Sequence, residues 1–212
     1  MTLLETILQE KIIVIIRGLS SEDAVQAVQA VYDGGIRLAE ITFDQQKPAQ
    51  ETAGIIRKLQ QRFAGRMHIG AGTVMTMQQL YSAYEAGAEF IISPNADTDI
   101  IRETKKLGMV SMPGAFTATE VAACQEAGAD IVKIFPADSV GPDYLKALRG
   151  PLHHILLSAV GGVTPENIRS FLDAGACCVG IGGNVIDKRA VANGDFGTIK
   201  HLAEAYRAQI SQ

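Results

Sequence analysis

Glu126-Ala127-Gly128-Ala129-Asp130-Ile131-Val132-Lys133-Ile134-Phe135-Pro136 is the stretch that decides the fold. Its first part reads as the end of an amphipathic helix, closed by a glycine that takes the left-handed conformation without steric cost. The rest is a short apolar run bounded by proline, the pattern of a buried strand. In the middle of that run stands Lys133. A buried ammonium must be paired or made neutral, unless its stem packs while its head reaches water. Desolvation lowers a lysine pKa, and a free amine at neutral pH condenses with a ketone to give a Schiff base. For an isolated lysine the snorkelling reading would stand first; the rest of the chain moves the balance toward chemistry.

The helix-glycine-strand pattern recurs. Asp33-Gly34-Gly35 precedes Ile36 to Thr42, Glu85-Ala86-Gly87-Ala88 precedes Glu89 to Pro94, and a further copy precedes Cys177. Strand candidates lie between the copies at Ile12–Arg17, Met67–Thr73, Met109–Pro113 and Ile155–Val160. Together they make about eight βα units, the count of a compact (β/α)8 TIM barrel. Helix starts agree: Ser20-x-x-Asp23, Thr76-x-x-Gln79 and Thr117-x-x-Glu120 pair an N-cap with its third helical residue, and Thr164-Pro165 places proline at a first helical position. A doubly wound open sheet shares the alternation and stays open as the second architecture. No linker or low-complexity segment interrupts the chain, so a single domain is expected over 1–212.

Composition narrows the function classes. The chain has 212 residues, 47% hydrophobic and 20% charged, which suits one α/β domain with a full core. A net charge of -4, with scattered basic residues, leaves no footprint for nucleic acid or an anionic membrane. Ile12 to Ile16 is too short to span a bilayer, and Glu5, Glu10 and Lys11 before it do not resemble a signal peptide, so a cytoplasmic location is expected. Three cysteines, two of them adjacent at Cys177 and Cys178, form neither a disulfide framework nor a metal pattern and read as core residues. His68, His153, His154 and His201 are dispersed, with the adjacent pair on opposite faces of a strand, so no metal site is expected.

In either parallel architecture catalytic side chains gather at the carboxyl ends of the strands. Arg17-Gly18, Glu40-Ile41-Thr42, Gly70-Ala71-Gly72-Thr73, Ser93-Pro94-Asn95, Met112-Pro113-Gly114 and Lys133 with Phe135 end successive strands; Gly161-Gly162 and Gly180-Ile181-Gly182-Gly183-Asn184 follow the last two. Making and breaking an imine needs proton transfers, and Glu40 is the natural partner of Lys133 for both directions. A structural ion pair of Glu40 with Arg37, Arg17 or Lys133 is the plainer alternative. Thr73 offers a hydroxyl and a backbone N–H to a carboxylate, or else caps a turn. Phe135 can wall an imine pocket against water. The paired glycine turns fall where barrels bind phosphate on unhindered backbone N–H groups, although tight turns alone also call for glycine.

Over nearly its whole length the chain resembles the class I 2-keto-3-deoxy-6-phosphogluconate (KDPG)/4-hydroxy-2-oxoglutarate (KHG) aldolases. The resemblance rests on Ile16-Arg17-Gly18, Glu40-Ile41-Thr42, Gly70-Ala71-Gly72-Thr73-Val74, Ile92-Ser93-Pro94, Val132-Lys133-Ile134-Phe135-Pro136-Ala137, Gly161-Gly162-Val163 and Gly180-Ile181-Gly182-Gly183, in order and at the family's spacing. It implies a homotrimeric TIM barrel that needs no cofactor and cleaves a 4-hydroxy-2-oxo acid to pyruvate and an aldehyde. Lys133 would carry the imine, Glu40 would move protons, and Thr73 with neighbours, Pro94 among the substrate-binding residues, would hold the substrate. The expected substrate is 2-dehydro-3-deoxy-6-phosphogluconate, a sugar-acid phosphate; its galactonate epimer and 4-hydroxy-2-oxoglutarate are alternatives. Two positions depart from the family pattern. Asp44 stands where members often have arginine, which makes Arg17 the substitute carboxylate anchor. Asn184 replaces the serine of a Gly-Gly-Ser phosphate end. A non-catalytic sugar-phosphate-binding barrel, or a barrel isomerase using Glu40 as base, are the readings of other kinds.

Overall fold

The computed structural model describes residues 1–210; the last two residues of the expected domain lie outside the described residues. After α1 (Leu3–Glu10), strands and helices alternate: β1 (Ile12–Ile16), α2 (Ser21–Asp33), β2 (Leu38–Thr42), α3 (Ala49–Phe63), β3 (His68–Gly72), α4 (Met77–Glu85), β4 (Phe90–Ile92), α5 (Thr98–Lys106) and β5 (Val110–Met112). The second half runs β6 (Gly114–Ala115), α6 (Ala118–Glu126), β7 (Val132–Ile134), α7 (Gly141–Arg149), β8 (Leu157–Val160), α8 (Ile168–Asp173), β9 (Ala176–Ile181), α9 (Lys188–Ala192) and α10 (Phe196–Ala208).

All sheet pairings are parallel, in the order β5-β4-β3-β2-β1-β9-β8-β7-β6. The two ends of that order, β5 and β6, are separated in the chain by Pro113 alone. They are one barrel position broken by a residue with no N–H to give to the ladder. The ring closes across the break: Asp130 N donates to Ser111 O at 3.0 Å and Lys133 N donates to Pro113 O at 2.8 Å. The chain is a TIM barrel, and the strand read as Met109–Pro113 is the one in two pieces.

The glycine joints do what the sequence requires of them. Gly35, Gly87, Gly128 and Gly175 all have φ between 88° and 103°, and Gly108 (φ 77°) is a fifth copy of the joint, before β5. Each lets a helix stop and reverse directly into a strand; Ala88 N bonds back to Ala83 O and Ala129 N to Cys124 O, both at 3.0 Å. Other expectations shift. The helix expected from Pro165 begins at Ile168, because Asn167 Oδ1 accepts from Thr164 N at 2.8 Å and holds residues 165–167 as a turn. His153 and His154 lie in a turn ahead of β8 rather than on opposite faces of a strand; that strand starts at Leu157.

The barrel interior has two levels. Its lower level packs Ile13, Leu38, Phe90, Val110 and Cys178 into a separate apolar cluster, and Ile7 of α1 covers it from below. Thr2 and Glu5 form a reciprocal capping box that starts α1. The outward side chains of the same strands, such as Ile12, Val14, Ala39, Ile41 and Val132, join the larger core beneath the helices. Period-two alternation thus sends Glu40, Lys133 and Ser158 inward from β2, β7 and β8, above the apolar level.

Candidate active site

Parallel register fixes the catalytic level. Ile15 of β1 lies beside Glu40, Glu40 beside Gly70, and Lys133 beside Ser158. Glu40 (2% exposed) and Lys133 (6% exposed) therefore meet inside the barrel from opposite arcs of its wall, lining one small internal cavity with Ser158, Met112 and Val160. Glycine makes room for the carboxyl group: a Cβ on Gly72 would lie 2.5 Å from Glu40 Oε1. Ser158 Oγ is buried in this cavity without a hydrogen-bond partner among the described residues.

Electrostatics follow from that burial. Desolvation pushes the Lys133 pKa down; Glu40 opposes the shift and Arg17 adds to it. Desolvation pushes the Glu40 pKa up, against the pull of Lys133 and Arg17. Both directions favour a neutral amine beside a protonated carboxyl over a buried ion pair. That is the state needed by a nucleophile with an acid at hand. The Lys133 ammonium or amine also sits 4.7 Å from the centroid of the Phe135 ring, which is 38% exposed at the mouth. The Phe135-Pro136 peptide is cis.

Above the catalytic level Lys133 opens into a cavity of about 360 Å³ whose lining includes Arg17, Phe135, Gly161, Gly162, Gly182, Gly183 and Asn184. The glycines are there for different reasons. Gly161 (φ 105°) and Gly162 (φ 64°) carry backbone that side chains disfavour, and a Cβ on Gly162 would strike Asp138. Gly183 has neither constraint, since a Cβ there would meet nothing within 4 Å. What it leaves free is the cavity. Asn184 turns inward on the loop, its Nδ2 donating to Val163 O at 3.1 Å. Lys188, which no sequence signal singled out, lines the same cavity. Besides Lys133, the lining carries the cationic side chains of Arg17 and Lys188 and no carboxylate.

Thr73 lies to one side, lining with Arg17, Thr42, Asp44 and Gln45 a depression of about 370 Å³ that shares Arg17 with the main cavity. Asp44 uses Oδ1 to accept from Gln46 N at 3.0 Å, capping its own turn. Pro94 is not part of the main cavity lining; its backbone packs against Gly114 at the end of β4. Among the described residues no group of three or more His, Cys, Asp or Glu side chains comes together as a metal site would need, and no helix is long and apolar enough to cross a membrane.

A TIM barrel that buries a lysine beside a glutamate at the carboxyl ends of its strands has the parts of a Schiff-base-forming enzyme. Comparison with known proteins carries the assignment further. The family model described as KDPG and KHG aldolase matches residues 4–202. The chain is 37% identical to 2-dehydro-3-deoxy-6-phosphogalactonate aldolase of Escherichia coli K12, over 82% of this chain and 83% of that one. It is 30% identical to the KHG/KDPG aldolase of the same organism, over 86% and 84%. Among solved structures, a native KDPGal structure superposes with a TM-score of 0.85 at 34% identity, covering 94% of each chain. The KDPG aldolase of Legionella pneumophila, captured with pyruvate as a covalent carbinolamine intermediate, superposes with a TM-score of 0.87 at 27% identity over 97% of this chain and 98% of that one. This chain belongs to the KDPG/KHG aldolase family.

Proposed function

We propose that the chain is a Schiff-base aldolase that cleaves a six-carbon 2-keto-3-deoxy sugar acid phosphorylated at C6, releasing pyruvate and glyceraldehyde 3-phosphate. The observation that carries the reading is the buried Lys133–Glu40 pair, with Lys133 opening into a cavity that Arg17 and Lys188 line and no carboxylate does. The neutral Lys133 amine adds to the C2 ketone, and the protonated Glu40 gives its proton to the departing water, leaving an iminium and a Glu40 carboxylate. Glu40 takes the proton of the C4 hydroxyl, the C3–C4 bond breaks, and its electron pair passes into the iminium as an enamine of pyruvate while the aldehyde leaves. Protonation at C3 and hydrolysis of the imine return pyruvate and the free amine. Arg17 and Thr73 hold the carboxylate, Arg17 through its planar fork. The phosphate lies on the glycine N–H groups of 161–162 and 182–183 and on Lys188.

The relatives favour a second reading of the C4 configuration. The sequence-based expectation is the gluconate epimer, but relatives at 37% and 34% identity are named for the galactonate epimer, the latter as a probable assignment. A panel of the two C6-phosphorylated epimers, their unphosphorylated forms and 4-hydroxy-2-oxoglutarate, assayed for pyruvate release, tests both points. Phosphorylated substrates are expected to lead in kcat as well as in affinity, because remote binding energy orients the reacting carbons. Equal kcat/KM with and without phosphate would overturn the substrate class. For assembly we propose a homotrimer in the cytoplasm. The support is a stripe of Met77, Tyr81 and Tyr84 along one face of α4, each at least 37% exposed, which suits burial against another copy. Light scattering of the purified protein checks the trimer.

A further inference from the structure

Thr73 has φ 54°. For a β-branched residue this left-handed backbone is strained, and it persists only where the surroundings over-determine it. Here the surroundings form a ring of amides. Gln45, in the loop after β2, donates Nε2–H to the Thr73 carbonyl at 3.0 Å. Its own Oε1 accepts from Gln79 Nε2 at 2.9 Å. Gln79 Oε1 in turn accepts from the backbone N–H of Met75 at 2.8 Å, so the ring closes through the backbone of Thr73, Val74 and Met75. The turn is fixed from within as well: Ser93 Oγ, buried, donates to the Val74 carbonyl at 2.7 Å.

Two features make the ring more than loop packing. Gln79 is 8% exposed and stands in the first turn of α4, with its N–H on Thr76 Oγ1 at 3.2 Å, so the chain of amides starts from a rigid anchor. It ends beside Arg17 and Thr73 in one depression, on the loop that follows directly from the strand bearing Glu40. A glutamine amide carries its donor and its acceptor on separate atoms of one long side chain, so glutamine at both positions passes the hydrogen bonds along in one direction.

We propose that Gln45 and Gln79 are positioning residues that hold the Thr73 turn in its strained conformation and so present Thr73 to the substrate carboxylate. The proposal rests on the reading that Thr73 helps to bind that carboxylate. The test is the pyruvate dependence of borohydride trapping, which gives an apparent affinity and a rate at saturation. Gln45→Leu and Gln79→Leu should each raise the half-saturating pyruvate concentration about fivefold, the size expected from one neutral hydrogen bond, with the saturating rate within about twofold of the parent. Gln79→Glu keeps the acceptor for Met75 and loses the donor to Gln45, so its effect should lie between the parent and Gln79→Leu. The Gln45→Leu/Gln79→Leu double variant should be no weaker than either single one, because both cut one chain.

Thr73→Val separates the two levels of the argument. If it impairs pyruvate capture while the glutamine variants behave as the parent, or if the two glutamine effects add, the relay is wrong and the placement of Thr73 stands. If Thr73→Val also captures pyruvate as the parent does, the placement itself fails and the proposal with it.

Discussion

The lower and upper levels of the barrel interior are built from the same strands and obey opposite rules. Below, Ile13, Leu38, Phe90 and Val110 fill the space and α1 covers it. Above, Glu40, Lys133 and Ser158 occupy inward positions two residues further along their strands or on the arc facing them, with Gly72 leaving room for the Glu40 carboxyl. The filled level gains free energy from burial; the catalytic level gives some up to hold ionisable groups away from water. Stability and chemistry are thus separated by one strand pleat: a change below should cost stability and spare catalysis, and a change above should cost catalysis without costing stability.

Lys133→Met should break the upper level most completely. Cleavage should fall by on the order of 10⁴-fold or more, as when a covalent nucleophile is removed. Thermal stability should rise by about 1 kcal/mol, the scale of single stabilising substitutions. The sign follows from the depressed pKa: at neutral pH the unfolded chain binds a proton that burial makes costly in the folded one, so the native state is penalised there and the penalty fades as pH rises toward the ordinary lysine range. Phe90→Ala is the counterpart below. Its ring fills the space that a side chain at Gly70 would claim, and losing it should cost about 3–5 kcal/mol by denaturant titration while folded protein keeps the parental kcat/KM. A large loss of kcat/KM at full folding would show that the two levels are not independent.

Smaller changes sharpen the upper level. Glu40→Gln should slow cleavage by at least about 10²-fold while pyruvate still adds to Lys133, because it removes the proton carrier and keeps the shape. Parental cleavage would make Glu40 a structural partner. Arg17→Lys should weaken pyruvate binding roughly tenfold through loss of the bidentate fork, read as KM with kcat less changed. Unchanged constants for both Arg17→Lys and Arg17→Ala would remove Arg17 from the carboxylate clamp.

The legible parts of the fold were those with a repeated local cause. Glycine joints at 35, 87, 128 and 175 mark where helices become strands, and once they are counted the inward positions of Glu40 and Lys133 follow from alternation. Gly108 is harder to read because large side chains, Leu107 and Met109, flank it where the other joints have a glycine or alanine beside the turn. Helix α1 was missed although Thr2 and Glu5 form its capping box, since eight residues show too few turns for a pattern to emerge. Lys188 and the Gln45–Gln79 pair were invisible for a different reason. Nothing local distinguishes a helix-start lysine or a loop glutamine from a solvated one; only the barrel brings Lys188 to the glycine turns and Gln79 to Gln45. Pro94 shows the converse, a motif residue whose position packs against Gly114 and not on the main cavity.

The central claim, that burial keeps the Lys133 amine neutral for imine formation, is tested most directly by borohydride trapping with pyruvate across pH, followed by peptide mass analysis. The account predicts one reduced pyruvyl adduct, located at Lys133, formed efficiently at pH values well below the ordinary lysine range and lost only as pH falls through the depressed Lys133 pKa. An adduct on another lysine, no adduct at all, or trapping that appears only near the ordinary lysine pKa would contradict it.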